Sequence, residues 1–299
     1  MNLISADDLS KEEMNQIFEI ADNLKEGREE LALREHSVIA LFFQHQLAKQ
    51  KSPFEAAIVQ LGSSSICITP GQESESTAES TSDIAKELSG YSDFIIAGIN
   101  NHQEILKMAS GASVPLINGI SDLEHPTQAL ADLYTIKMYK NNLRNVKIAF
   151  MGNITSNVAN SLMLFASRQG AEMALIGPKE VIPNSIYFNK SREYGKLDTF
   201  DSIDEGLEEA DIIYASPFSD SGILASGAIK SQELSKYRVT KIAEQKADPN
   251  ALIMHPLPIH RGEEIDADVV DGPKSIVWQQ AKNRVLISKA ILLYLSKGR

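Results

Sequence analysis

Nine short apolar runs punctuate this chain, several of them almost unbroken: "HSVIALFF", "SSSICIT", "SDFIIAGI", "SVPLING", "NVKIAFMG", "AEMALIG", "ADIIYAS", "NALIMHP" and "KSIVWQQ". A strand with one wet face alternates polar and apolar residues, whereas unbroken runs suit strands covered on both faces of a parallel sheet. Parallel neighbours need long crossovers, and helical stretches such as "EEMNQIFEIADNLKEG", "TSDIAKELSGY" and "SNVANSLMLFASRQG" precede or separate the runs. The pattern predicts repeated βα units. With 299 residues the chain is long for one core, so two domains are expected. The long helical string "HPTQALADLYTIKMYKNNLRN" divides two groups of runs and places the junction near residue 140.

Composition narrows the function classes. A formal net charge of -11 argues against non-specific nucleic-acid binding and leaves any anion site to local residues. No run approaches the roughly 20 apolar residues of a membrane span, and "MNLISADDLSKEEM" lacks the pattern of a signal peptide, so a soluble cytoplasmic protein is expected. The lone Cys67 lies in a strand-like run and reads as a packing residue. No zinc-type spacing of cysteine and histidine occurs.

Ligands of open α/β sheets bind past the carboxyl ends of the strands. Four such places carry chemistry. His125 and Gln128 open the long helix, three residues apart and on one face. A second place is the loop His255-Pro256-Leu257-Pro258-Ile259-His260-Arg261, where two prolines fix the backbone. Asn157 closes "GNITSN", and Ser216 begins "SPFSDSG", which also contains Asp220. The polar, acidic stretch from Thr69 to Asp83 cannot bury enough surface to fix itself and reads either as a solvated connection or as a lid. His36 and His102 read as surface histidines, and Trp278 as a packing residue.

Taken together, "HPTQALADLYTI", "SDIAKELSGYSD", "NVANSLM" and "MHPLPIHRGEEIDADVVDGPKSIVWQQAKNR" resemble the aspartate/ornithine carbamoyltransferase family over nearly the whole chain, with "HRGEEI", "DGP" and "QAKNR" nearer the ornithine branch. The resemblance implies two open parallel-sheet α/β domains of the transcarbamylase fold with the active-site cleft between them. It implies a carbamoyl-phosphate domain over 1–140, to which a terminal helix over 285–299 returns, and an amino-acid domain over 141–284. It implies a homotrimer that joins an amine to the carbamoyl group of carbamoyl phosphate, releasing phosphate, without a metal or organic cofactor. By position, His125 would polarise the carbamoyl carbonyl, and Arg284 would reach the same group. Gln128 would hold the carbamoyl amide with the carbonyls of Leu257 and Pro258. On the amino-acid side the matching positions are Asn157, Ser216, Asp220, His255 and Arg261.

Departures from the family pattern are as informative. The phosphate motif Ser-Thr-Arg-Thr-Arg falls on Leu47-Ala48-Lys49-Gln50-Lys51, which keeps charge at Lys49 and Lys51 but loses hydroxyls and the planar guanidinium fork. Gly98 stands where an arginine is expected after the third strand. Ser52-Pro53-Phe54-Glu55 reads as a capping box that would occupy the helix-start amides; alternatively, Pro53 kinks a longer helix. Ser216 replaces the aspartate that binds an α-amino group in the ornithine branch. Two readings result: a carbamoyltransferase with an unusual amine and a phosphate site rebuilt from Lys49, Lys51 and His45, or a non-catalytic relative that senses a small ligand or scaffolds a partner. Different chemistry on a carboxylated or amide substrate is a third.

Overall fold

The structure, a computed structural model, describes residues 1–28, 32–70, 79–218 and 231–297. The chain forms two compact units: Met1–Ala131 together with the segment from Arg284 onward, and Asp132–Asn283.

The first unit is built on four parallel strands, β1 (Val38–Phe43), β2 (Ser64–Ile68), β3 (Phe94–Gly98) and β4 (Leu116–Ile120), in the order β2-β1-β3-β4. β1 and β3 run side by side in the middle, with Leu41 opposite Ile96, and every residue of β3 is buried. Burying an isoleucine there is worth about 1.5–3 kcal/mol, which explains why central strands read as unbroken apolar runs. α1 (Lys11–Glu26) precedes the first strand, and the crossovers are α2 (Ser52–Gln60), α3 (Thr81–Ser89) and α4 (His102–Gly111). α1 starts in a capping box, with Ser10 and Glu13 exchanging backbone bonds, and ends at Gly27 in the left-handed region.

The second unit carries five parallel strands, β5 (Lys147–Met151), β6 (Glu172–Ile176), β7 (Leu197–Phe200), β8 (Ile212–Ala215) and β9 (Leu252–Met254), ordered β7-β6-β5-β8-β9. The strand order reverses at β5, which sits in the centre. α5 (Pro126–Lys140) and the closing helix Val277–Ser296 each contain one of the two unit divisions. The remaining crossovers include α6 (Asn157–Gln169), buried along nearly its whole length, α7 (Ser185–Arg192) and α8 (Ile203–Leu207). A buried polar cluster ties this unit together: Tyr214 Oη donates to Asp132 Oδ2 at 2.7 Å and Gln280 Nε2 to Asp132 Oδ1 at 2.7 Å.

Several local expectations are corrected. "KSIVWQQ" is not a strand: Ile276 N–H bonds Ile253 carbonyl oxygen once, and helix begins at Val277. The ninth strand is instead β7, whose polar, half-exposed residues hide it from an apolar-run search. No capping box forms at Ser52, which is already helical; the His45–Lys51 3-10 turn runs straight into α2, as in the longer-helix alternative. Cys67 is exposed on the edge strand β2, where its Sγ lies 3.2 Å from Glu55 Oε1. His102 is buried, with Nδ1 2.9 Å from Ser121 Oγ, and Trp278 is 53% exposed. Residues 71–78, most of the Thr69–Asp83 stretch, and Asp220 lie outside the described residues. No described helix is long and apolar enough to cross a membrane.

Candidate functional site

In the first unit, the loop that leads into α5 is fixed by a buried carboxylate. Glu124 accepts from Ser5 Oγ at 2.6 Å and from Ala6 N–H at 2.7 Å. This sets His125, 3% exposed, immediately before the helix, with Thr127 Oγ1 3.4 Å from its Nδ1. Burial, and then the neighbouring charge of Arg284, push the imidazole well below its ordinary pKa, so it is neutral at physiological pH. A neutral imidazole can donate one N–H to an oxygen that gains negative charge, which a desolvated site makes worth several kcal/mol. Gln128, 2% exposed, is one turn further along α5.

Arg284, on the closing helix, donates from Nη2 to Gln50 Oε1 at 2.9 Å. Gln50 lies in the His45–Lys51 turn, between Lys49, which is exposed, and Lys51, whose Nζ is 3.3 Å from Glu55 Oε1. His125, Arg284 and this turn are therefore brought together, and Gln50 is the residue that sequence reasoning passed over. Its long, neutral side chain gave no charge signal.

Gly98 ends β3 beneath the ring of Phe43. A Cβ built on Gly98 would lie 2.2 Å from Phe43 Cδ1, and one on Gly119 would lie 2.8 Å from Phe43 Cζ. Phe43 is 1% exposed and meets Phe54 with ring centroids 6.1 Å apart. The space above Gly98 is thus filled by an aromatic ring, and no larger residue enters without moving it.

In the second unit the remaining positions line the carboxyl edge of the sheet. Asn157 opens α6 after β5, its Oδ1 accepting from Val158 N–H at 2.8 Å. Ser216, 1% exposed, follows β8, with its Oγ 3.4 Å from the Asn153 carbonyl oxygen. After β9, His255 is buried, the Leu257–Pro258 peptide is cis, and Pro258 is exposed. His255 Nε2 lies 2.8 Å from Glu264 Oε1, which also accepts from His260 N–H at 2.7 Å. Burial alone would raise the Glu264 pKa, but these bonds outweigh it and the net shift is downward. Arg261 forms a two-pronged pair with Asp271, at 3.1 and 2.8 Å. His260, Glu263 and Glu264 bring ligand-type atoms within 4.8 Å of one another. The bonds just described account for Glu264 as a lock on the loop after β9.

Two parallel α/β units, each with polar residues past its strand ends, define a two-domain protein of the transcarbamylase class. Two family models cover the chain: "Aspartate/ornithine carbamoyltransferase, carbamoyl-P binding domain" over residues 1–138 and "Aspartate/ornithine carbamoyltransferase, Asp/Orn binding domain" over residues 144–295. The chain belongs to the aspartate/ornithine carbamoyltransferase family. It is 36% identical to the ornithine carbamoyltransferase of Cenarchaeum symbiosum over 298 residues, covering 98% of this chain and 97% of that protein. It is 33% identical to that of Bacillus subtilis, over 97% of this chain and 92% of the relative. Among solved structures, the ornithine carbamoyltransferase of Pyrococcus furiosus superposes with a TM-score of 0.91 at 31% identity, covering 100% of this chain and 97% of the other.

Proposed function

We propose that this protein transfers the carbamoyl group of carbamoyl phosphate to the amine of an amino-acid-like acceptor other than ornithine, with a weakened grip on the phosphate. The observation that supports it is His125, buried, neutral and beside Arg284. As the amine nitrogen attacks the carbamoyl carbon, the carbonyl oxygen takes on negative charge; the imidazole N–H and the guanidinium are suited to stabilise it. The carbon–oxygen bond to phosphate then breaks, phosphate leaves, and the amine gives up a proton. Gln128 is suited to hold the carbamoyl amide, and Asn157 and Ser216 to contact the acceptor. The weakened phosphate grip is read from Lys49 and Lys51 in place of arginines, from the Lys51–Glu55 pair, and from Phe43 above Gly98. Exposed Val59 and Ile66 offer apolar surface for the homotrimer that the family resemblance implies.

Phosphate release from carbamoyl phosphate across a panel of amines tests the reading. Release with an amine other than ornithine, abolished by His125→Ala, is expected; no release with any amine would overturn it. A second reading, a cytoplasmic ligand sensor without turnover, is favoured by one observation: Gln50 already takes an N–H of Arg284.

A further inference from the structure

We propose that the second unit holds a separate binding site, past the ends of β6 and β7, for an adenine nucleoside monophosphate. A cavity of about 500 Å³ lies there, bordered by Ile154, Gly177, Lys179, Phe188, Phe200 and Asp201. That volume is within the range of small-molecule sites. The cavity is on the β6–β7 side of the central strand β5 and shares with the acceptor positions the loop after β5, where Ile154 borders it and Asn157 opens α6, whereas Ser216 and His255 follow β8 and β9 on the other side. It is therefore a second site on the same sheet edge.

The strand order β7-β6-β5-β8-β9 is that of a doubly wound nucleotide-binding sheet, in which the nucleoside rests past the second strand. Here the second strand is β6. Gly177 follows it, where an added Cβ would meet the Gly152 carbonyl oxygen at 3.1 Å and the Ile154 side chain at 3.5 Å, so backbone and Ile154 approach closely there. The walls suit a flat base. Phe188 lies 5.8 Å, centroid to carbon, from the Arg192 guanidinium, and Phe200 lies 5.9 Å from Lys147 Nζ. Two exposed charges complete the border: Lys179, three residues past β6, and Asp201, one residue past β7. Neither side chain makes a hydrogen bond or ion pair with another described residue. An ammonium there suits a phosphate, and a carboxylate accepts from an exocyclic amino group but repels a ring carbonyl.

A full dinucleotide is not served. Its pyrophosphate needs bare amides at the start of the helix after the first strand. In α6, Ser156 Oγ takes Ala159 N–H at 3.2 Å, and Asn157 Oδ1 takes Val158 N–H at 2.8 Å. The site accommodates the nucleoside half alone.

Calorimetric titration of the full chain with AMP, adenosine, IMP and inorganic phosphate tests the proposal. AMP binds about ten-fold or more tightly than adenosine or IMP, because one charge-assisted bond is worth about that factor. Phosphate alone does not saturate. Lys179→Glu removes the advantage of AMP over adenosine, and Asp201→Asn removes its advantage over IMP; both positions are exposed, and thermal melts confirm folding. His125→Ala leaves AMP binding intact, which separates this site from the transferase reading. Failure of AMP to saturate at millimolar concentration, equal binding of AMP, adenosine and IMP, or indifference to both substitutions would overturn it.

Discussion

Replacing Gly98 with alanine puts one methyl group where Phe43 already stands. The new carbon would lie 2.2 Å from Phe43 Cδ1, 2.5 Å from Cε1 and 3.0 Å from Cγ. Comfortable carbon contacts are about 3.5–4.0 Å, so ring or strand must yield by more than about 1 Å. Phe43 cannot swing into solvent, because it is 1% exposed and wedged above both Gly98 and Gly119. Overpacking of this kind costs about 1–3 kcal/mol. Guanidinium denaturation should therefore show Gly98→Ala with a lower midpoint and an unchanged slope. Phe43→Leu in the same chain should recover part of the loss, with a coupling of about 0.5–3 kcal/mol in the double-mutant cycle. A Gly98→Ala protein within about 0.5 kcal/mol of the parent, and strictly additive with Phe43→Leu, would refute the reasoning. The ring would then be free to move, and an arginine side chain would be admissible at that strand end.

Three further outcomes follow from particular contacts. Because His125 has a lowered pKa in the folded chain, the unfolded chain binds more protons below 6.5; stability is full above that pH and falls as pH drops toward the native pKa, at up to about 1.4 kcal/mol per unit, and His125→Asn removes this slope in denaturation curves taken at several pH values. Tyr214→Phe removes a buried bond to Asp132 and should cost about 1.5–3 kcal/mol by denaturant titration, with loss under about 0.5 kcal/mol contradicting it. Gln50→Ala frees the Arg284 N–H that Gln50 takes, so inorganic phosphate should bind about ten-fold more tightly by calorimetry; unchanged affinity would show that Gln50 does not compete.

Much of the fold was legible because burial on both faces leaves a direct mark on composition. Phe94–Gly98 is buried at every position, and its run is unbroken. The exceptions are where tertiary context overrides that mark. Leu197–Phe200 pairs along the outer side of β6 with polar residues, so no apolar run announces it. "KSIVWQQ" is apolar enough for a strand, yet a single bridge at Ser275 gives way to helix. Cys67 looked packed because its neighbours are apolar, but an edge strand leaves it exposed. Ser52 carries cap chemistry, but the preceding turn is already helical and supplies the entry itself. At the candidate site, His125 and Arg284 announced themselves by residue type and by family strings. Gln50 and Phe43 did not, since an amide and a phenyl ring declare no chemistry until their neighbours are known.

The most direct measurement follows isotope-labelled carbamoyl phosphate by NMR in the presence of a mixture of amino acids, with the parent protein beside His125→Ala. The account predicts a labelled carbamoyl adduct of an amino acid other than ornithine, formed by the parent and not by the variant, with a donor requirement in the millimolar range. Decay of the donor at the same rate in both samples, with no adduct in either, would contradict it.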